Sequence, residues 1–500
     1  MYKIEWDKET GGVLLSSKVS KETLGISPRP VWFEELDLLG LDKLGYVYPQ
    51  SEAPLMWAVN KQYFYRGDLV FQAKGANLYD SATITIMPGF ENLELIPIDV
   101  KKMIERNRDI MFLLESEAIE FIRETFFIYS TASKKFNEIK ANQLDFEAIV
   151  ASIEQKQKRK MAIIKEECDS FDVIPLDIAE QQGKQRLLAT KIDVFLASFS
   201  GGKDSQVVLD LCTRALPPNV FEVIYSDTGY ELPSSLNLYE DVKRHYSALY
   251  PGLKFSTARN HASVLSYWDK IGTPSDTHRW CCSVMKTAPL YRSLKVSGTN
   301  KQAKVLTFDG VRAEESARRG NYERMGKGVK HSTVVNAHPI LYWNTSEIFL
   351  YLFSYALPVN NAYRLGKSRV GCITCPYSSE WDDMIVSRCY GAELEPFISR
   401  IYNWSKQEGV KDLEVYLKER KWKFRASGKF MKISTQVNFK NSPNNFYAQV
   451  KSAKLPITAW LPVLGEFTFF NASNGFCGDI KYKNTVYSFE VKGDGTDYTF

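Results

Sequence analysis

No stretch of about 18 apolar residues occurs in the chain, which excludes a hydrophobic helix long enough to span a membrane. The opening residues, MYKIEWDKETGG, lack an apolar run behind a basic start, so no secretory signal is expected and a cytoplasmic setting is. An excess of one charge is missing too: 64 basic against 59 acidic residues leave +5 over 500 residues. That balance neither announces a nucleic-acid partner nor excludes one. There is no internal repeat and no low-complexity segment. Cysteine is scarce, with eight in all, and its spacing is uneven. Cys168, Cys212, Cys389 and Cys477 stand alone, whereas Cys281-Cys282 and Cys372-x-x-Cys375 come in pairs. In a reducing compartment, paired cysteines point to metal before they point to disulfides.

What is present is the composition of a soluble globular protein, 44% hydrophobic and 25% charged, with a length that calls for two to four domains. Residues 1–97 carry Gly, Pro, Tyr, Val and Trp in short alternating runs, YFYRGDLVFQAKG at 63–75 among them, and read as a β-rich accessory domain. Apolar residues at helical spacing over 98–131, and again over about 144–168, make 98–185 a helical connector. The basic run Lys156-Gln157-Lys158-Arg159-Lys160 reads there as a solvated helix face. From 192 onward strands and helices alternate: IDVFLASFS before SQVVLDLCTRAL, FEVIYSDTG before LPSSLNLYEDVKRHYSALY, then KFSTARN and KVLTFDGVR. This predicts a doubly wound parallel α/β sheet over 186–390, whose ligands lie at the carboxyl ends of its strands. Residues 391–500 begin helical and end in β-like alternation, a small α+β domain.

Within that sheet, the strand FLASF runs straight into Ser200-Gly201-Gly202-Lys203-Asp204-Ser205 and then a helix. The glycine pair permits a sharp turn and a close backbone approach to a ligand. The free N–H groups opening the helix favour an anion, and Ser200, Lys203 and Ser205 add donors and positive charge. Phosphate binding is the chemistry served. The Walker A loop is excluded, since it needs Gly where Ala197 stands and Ser or Thr where Asp204 stands.

SFSGGKDS resembles the pyrophosphate loop of the ATP pyrophosphatases. More narrowly, residues 190–380 resemble the phosphoadenosine phosphosulfate (PAPS) reductase family, through IYSDTGYELP (224–233), RWCCSVMKTAPL (279–290), FDGVRAEESARRG (308–320) and SRVGCITCP (368–376). The resemblance implies an adenine nucleotide alpha hydrolase-like fold that binds ATP with Mg²⁺. It places Ser200, Gly201, Gly202, Lys203, Asp204 and Ser205 around the phosphates, and Asp227, Arg312, Glu315, Ser316 and Arg319 at the nucleotide. Lys203, Asp204 and Arg312 would serve the chemistry, an arginine fork suiting bidentate contact with phosphate or sulfate.

Four thiolates suit an iron–sulfur cluster or structural zinc. The resemblance favours the cluster, because Cys281, Cys282, Cys372 and Cys375 match the CC…CxxC ligands of the adenylyl-sulfate reductase branch. Arg279, Lys286, Lys367 and Arg369 would then offset its charge or hold an anionic substrate. The chain departs from that branch in two ways. Its phosphate loop is intact where such reductases have a degraded one. It also lacks their Glu-Cys-Gly-Leu-His tail, leaving Cys477 as the nearest candidate nucleophile. An intact loop joined to a 4Fe-4S cluster resembles instead the sulfur-inserting branch, which adenylates a nucleic-acid oxygen and replaces it with sulfur. The leading expectation is therefore ATP cleavage between the α- and β-phosphates with sulfur transfer to an adenylated acceptor, nucleic acid included. The sulfur donor would be a cysteine desulfurase or sulfide. The segment Lys418 to Arg425, basic with interleaved aromatics, would suit phosphates and bases or be a solvated helix end. The alternatives are a thiol-dependent adenylyl-sulfate or PAPS reductase forming sulfite, and a non-catalytic nucleotide- and redox-sensing regulator.

Overall fold

A computed structural model describes residues 2–138, 146–165, 171–182, 186–187, 192–296, 298–327, 333–424, 436–442, 445–451, 466–482, 485–493 and 498–499. The chain divides into two compact units, Met1–Gly272 with Trp280–Arg400, and Thr273–Arg279 with Ile401–Phe500.

The first unit is organised by a six-stranded sheet. Its strands are β1 (Val194–Phe199), β2 (Glu222–Asp227), β3 (Lys254–Arg259), β4 (Val305–Phe308), β5 (Met325–Lys327) and β6 (Val334–Ala337), in the spatial order β3-β2-β1-β4-β6-β5. All pairings are parallel except that of β5 with β6. This is the doubly wound parallel α/β core expected from the strand–helix alternation. Phe195, Leu196, Ala197 and Phe199 of β1 are all buried, as a parallel strand covered on both faces requires. Strand order reverses at β1, with β2 on one side and β4 on the other. The loops leaving β1 and β4 therefore part at a topological switch point, where such sheets bind ligands. Helix α1 (Lys203–Ala215) follows β1, α2 (Pro233–Leu249) follows β2, and α3 (Val264–Ile271) follows β3. A further helix, α4 (Thr345–Ser354), starts at a capping box in which Asn344 and Glu347 satisfy each other's backbone N–H groups.

The helix expected over 98–131 is present and extends over Val100–Glu138. Its buried residues Met103, Asn107, Met111, Glu115, Ala118, Ile122, Thr125 and Tyr129 recur at three and four, the period of one helical face. That face packs on α1 and on the hairpin Lys3–Asp7/Gly12–Ser16. The Asn107 amide accepts from Leu15 N–H at 2.7 Å and donates to Val13 O at 2.9 Å. Residues near the amino terminus thus share one continuous core with the central sheet. The β-rich reading of 1–97 matches a five-stranded antiparallel sheet running from Arg29–Val31 to Thr83–Ile86. The helical reading of 144–168 gives way: the helix is Phe146–Gln157, and Met161–Lys165 is a strand between Phe171–Pro175 and Arg186–Leu187. Lys158, left-handed at φ 51°, ends the helix, and the apolar Ala-Ile-Ile run after it suits a pleated surface. The run 156–160 is exposed, as a solvated face would be.

The second unit carries a six-stranded antiparallel sheet built from residues 436–499. Cys477 lies in its strand Gly475–Tyr482, opposite Phe470 and Glu490. Trp422 and Lys423 are buried, so the basic segment from Lys418 offers no stacking face through Trp422; Arg425 lies outside the described residues. Cys168 lies outside them too. Among the described residues no helix is long and apolar enough to cross a membrane.

Candidate active site

The loop between β1 and α1 is held from three directions. Gly201 sits at φ 73°, the left-handed conformation that favours glycine. Its carbonyl accepts from Asn360 Nδ2 at 2.8 Å, and Asn360 also donates to Ser235 Oγ at the start of α2. Lys203 N–H donates to Tyr363 Oη at 3.1 Å, and the Lys203 ammonium lies 5.1 Å from the Tyr363 ring centre. Ser205 Oγ donates to Gly202 O at 2.8 Å and accepts from Ser200 N–H at 3.1 Å, closing the loop on itself. The loop is thus preformed, with Ser200 through Ser205 gathered at the switch point.

From the opposite wall, the β4 loop comes within contact distance. A Cβ on Gly310 would meet the Asp204 carbonyl carbon at 2.7 Å and Ser205 N at 2.9 Å, so no larger residue fits. Two residues on, Arg312 Nε donates to Asp204 Oδ1 at 2.6 Å, while Lys203 Nζ donates to Asp204 Oδ2 at 2.9 Å. Lys203 and Arg312 are each only 3% exposed. Burial alone would raise the Asp204 pKa, but the Lys203 and Arg312 charges outweigh it and bring the carboxyl down to about 2. Burial lowers the Lys203 pKa, with Asp204 opposing the shift. A carboxyl depressed in the fold contributes stability above its unfolded pKa and loses it as pH falls through the folded value. The melting temperature should therefore fall between about pH 4 and pH 2, and Asp204→Asn should flatten that slope; thermal melts across this range measure it.

The other residues singled out from sequence divide by position. Asp227 ends β2, accepts from Gly229 N–H at 3.0 Å and lies 3.5 Å from Arg259 Nε. Ser316 caps the short turn that carries Arg319. Arg319 pairs with Glu315, whose carboxylate also lies 3.5 Å from Arg369 Nε. Burial and the Arg369 charge lower the Arg319 pKa, and Arg369 acts on Lys203 in the same sense, so these cations are near enough to act on one another. Lys367, by contrast, is buried against Asp382 at 2.9 Å.

The paired cysteines meet beyond the carboxyl ends of β2 and β3. Asn260, next after β3, donates to Val284 O at 2.8 Å and anchors the π-helical turn Cys282–Thr287. Cys372 bridges Glu231 antiparallel after β2, with Ile373 N–H donating to Tyr230 O at 2.6 Å. Cys375 Sγ accepts from Tyr377 N–H at 3.4 Å. None of the four is in a disulfide. The hydrogen bond to Cys282, burial, and the charges of Cys282, Cys372 and Cys375 all push the Cys281 thiol up, while the Lys286 charge opposes the rise at Cys372. Tyr230 feels all four sulfurs and accepts from the Trp268 indole N–H. Among the described residues no group of three ligating side chains closes tightly enough around one point to hold a single ion.

Residues 195–378, which contain both halves of this arrangement, match the phosphoadenosine phosphosulfate reductase domain. By that match, this part of the chain is similar to PAPS reductase domains. Two uncharacterized proteins of Methanocaldococcus jannaschii are 34% and 31% identical over 36% and 39% of this chain, which spans 36% and 44% of their length. An adenosine 5'-phosphosulfate reductase of Staphylococcus haemolyticus is 24% identical over 37% of this chain and 70% of its own. Among solved structures, the PAPS reductase of Candida auris covers 36% of the chain and 80% of its own at 21% identity and TM-score 0.28.

Three features of this region escaped the sequence reading. Asn360 and Tyr363 brace the loop from 160 residues away, and nothing in NNAYR signals it. Glu314 stands beside two residues that were singled out, yet it contacts Arg312 Nη1 at 2.8 Å. His338, at the end of β6, holds Asp309 at the end of β4 through Nδ1 at 2.6 Å and fixes the second wall of the cleft.

Proposed function

We propose that this protein binds ATP at the Ser200–Ser205 loop, cleaves it between the α- and β-phosphates, and passes sulfur to the adenylated acceptor. The carrying observation is the preformed loop with Lys203 at its base, tied through residues 360–375 to the cysteine quartet. The N–H groups opening α1 and the Lys203 ammonium would hold the β- and γ-phosphates, with Mg²⁺ neutralising the remainder. Asp204 would yield Lys203 to the phosphates while keeping Arg312 as its partner. Arg319 and Arg369 would draw in the anionic acceptor between loop and quartet.

In the first step an acceptor oxygen bonds the α-phosphorus, pyrophosphate leaves, and the oxygen's proton passes to solvent. In the second, hydrosulfide bonds the acceptor carbon or phosphorus, and AMP leaves with the former oxygen. The residue types suit a 4Fe-4S cluster: four cysteines outside any disulfide whose charges act on one another, one accepting a backbone N–H, with Lys286 near to balance charge. Such a cluster, held by Cys281, Cys282, Cys372 and Cys375, would supply a binding site for sulfide. Replacing Cys372 with serine should cut bound iron and acid-labile sulfide to about a tenth or less, since a site short of one thiolate no longer closes. Metal analysis and the visible absorbance of anaerobically purified protein measure that.

The reductase reading keeps one support, the adenosine 5'-phosphosulfate reductase relatives. Anaerobic protein assayed for pyrophosphate release from ATP, with and without DNA or RNA, separates the two. Release stimulated by nucleic acid identifies the acceptor class. Absence of release, with sulfite formed from adenylyl sulfate and a dithiol, overturns the proposal; ATP binding without either product leaves a regulator.

A further inference from the structure

The segment around Ser27, from the amino-terminal region and outside the reductase domain match, reaches the loop's charge network. Ser27 Oγ donates to Glu314 Oε1 and accepts from Thr345 N–H at 3.2 Å. Its neighbour Pro28 accepts, through its carbonyl, from Ser346 Oγ at 2.8 Å, which fixes the segment on the start of α4. Glu314 Oε2 takes three donors: Arg312 Nη1 at 2.8 Å, Thr345 N–H at 2.8 Å and Thr345 Oγ1 at 3.0 Å. Arg312 is spanned by two carboxylates, Glu314 on its Nη1 side and Asp204 on its Nε.

The geometry has a consequence for which cation moves. Arg312 is buried and also directed at Trp343 O and Thr345 Oγ1, so it is locked in place. Lys203 has Asp204 as its carboxylate partner. When a polyphosphate enters, Lys203 can leave Asp204 because Arg312 still compensates that carboxylate; a loosened Arg312 would leave Asp204 holding Lys203 harder.

We propose that Ser27 and Glu314 are positioning residues for nucleotide binding, which lock Arg312 on Asp204 and so free Lys203 for the phosphates. This rests on the ATP reading above and assigns the amino-terminal region a part in the site. The test is ATP affinity by calorimetry on the full chain, with steady-state pyrophosphate release beside it. Ser27→Ala should weaken ATP binding and raise KM about threefold, and Glu314→Gln about tenfold. In both, kcat at saturating ATP should stay within about twofold, and Ser27→Thr, which keeps the hydroxyl, should restore affinity. A purely structural role would lower the melting temperature without this split. Wild-type affinity in both variants, or a loss confined to kcat, overturns the proposal. Failure of the wild-type protein itself to bind ATP is a different result, and it overturns the ATP reading and this proposal together.

Discussion

Lys203→Met is expected to lower pyrophosphate release from ATP by about a hundredfold or more, the usual effect of deleting one preorganised charge-stabilising donor. Methionine keeps the volume of the buried stem, and Asp204 retains its 2.6 Å contact with Arg312, so the variant leaves no orphaned buried carboxylate. Circular dichroism and thermal melting should therefore report a folded protein. Iron content should match that of the wild type, since the polar contacts of Lys203 are with Asp204 and Tyr363. If release were unchanged in a folded variant, the loop would not be handling a β,γ-pyrophosphate and the reductase reading would take over. Lys203→Arg should rescue poorly, because the guanidinium fork is too large for a site enclosed by the Tyr363 ring and the Asp204 carboxylate.

The second large effect is structural. Gly310→Ala should destabilise the first unit by about 3 kcal/mol, as overpacking against a rigid neighbour does. The clash is with main-chain atoms of Asp204 and Ser205, which no rotamer change relieves. Either the β4 loop retreats from α1 or the phosphate loop distorts, and both separate Arg312 from Asp204. ATP affinity should fall along with the melting temperature. Gly252→Ala is the matched control: its nearest neighbour would lie 3.8 Å from the new Cβ, and its melting temperature should stay close to wild type. Equal behaviour of the two variants in calorimetry would refute the claim that Gly310 is required by close approach.

Much of the core was legible before any coordinates. Strand–helix alternation from 192 announced a parallel sheet, and the glycine pair after β1 announced a sharp turn between strand and helix, because both are local statements about periodicity and backbone freedom. Each cysteine pair was legible for the same reason, since adjacent or CxxC thiols share a turn wherever the chain goes; the approach of one pair to the other was not. Local reasoning failed where context overrode it. Met161–Lys165 looked like the continuation of a helix, and the buried Trp422 looked available for stacking; neither outcome depends on its own few residues.

The chain's amino-acid order by itself determined a doubly wound core, a glycine-rich turn between its first strand and helix, and two local pairs of thiols. Only the tertiary structure decided that Arg312 is locked between Asp204 and Glu314, that Asn360 and Tyr363 brace the loop, and that Ser27 reaches into its charge network. The physical reason is separation along the chain. Periodicity and turn chemistry act over a few residues, whereas a buried charge takes its partners from whatever the fold brings within 3 Å, here from 108 residues away in the case of Asp204 and Arg312.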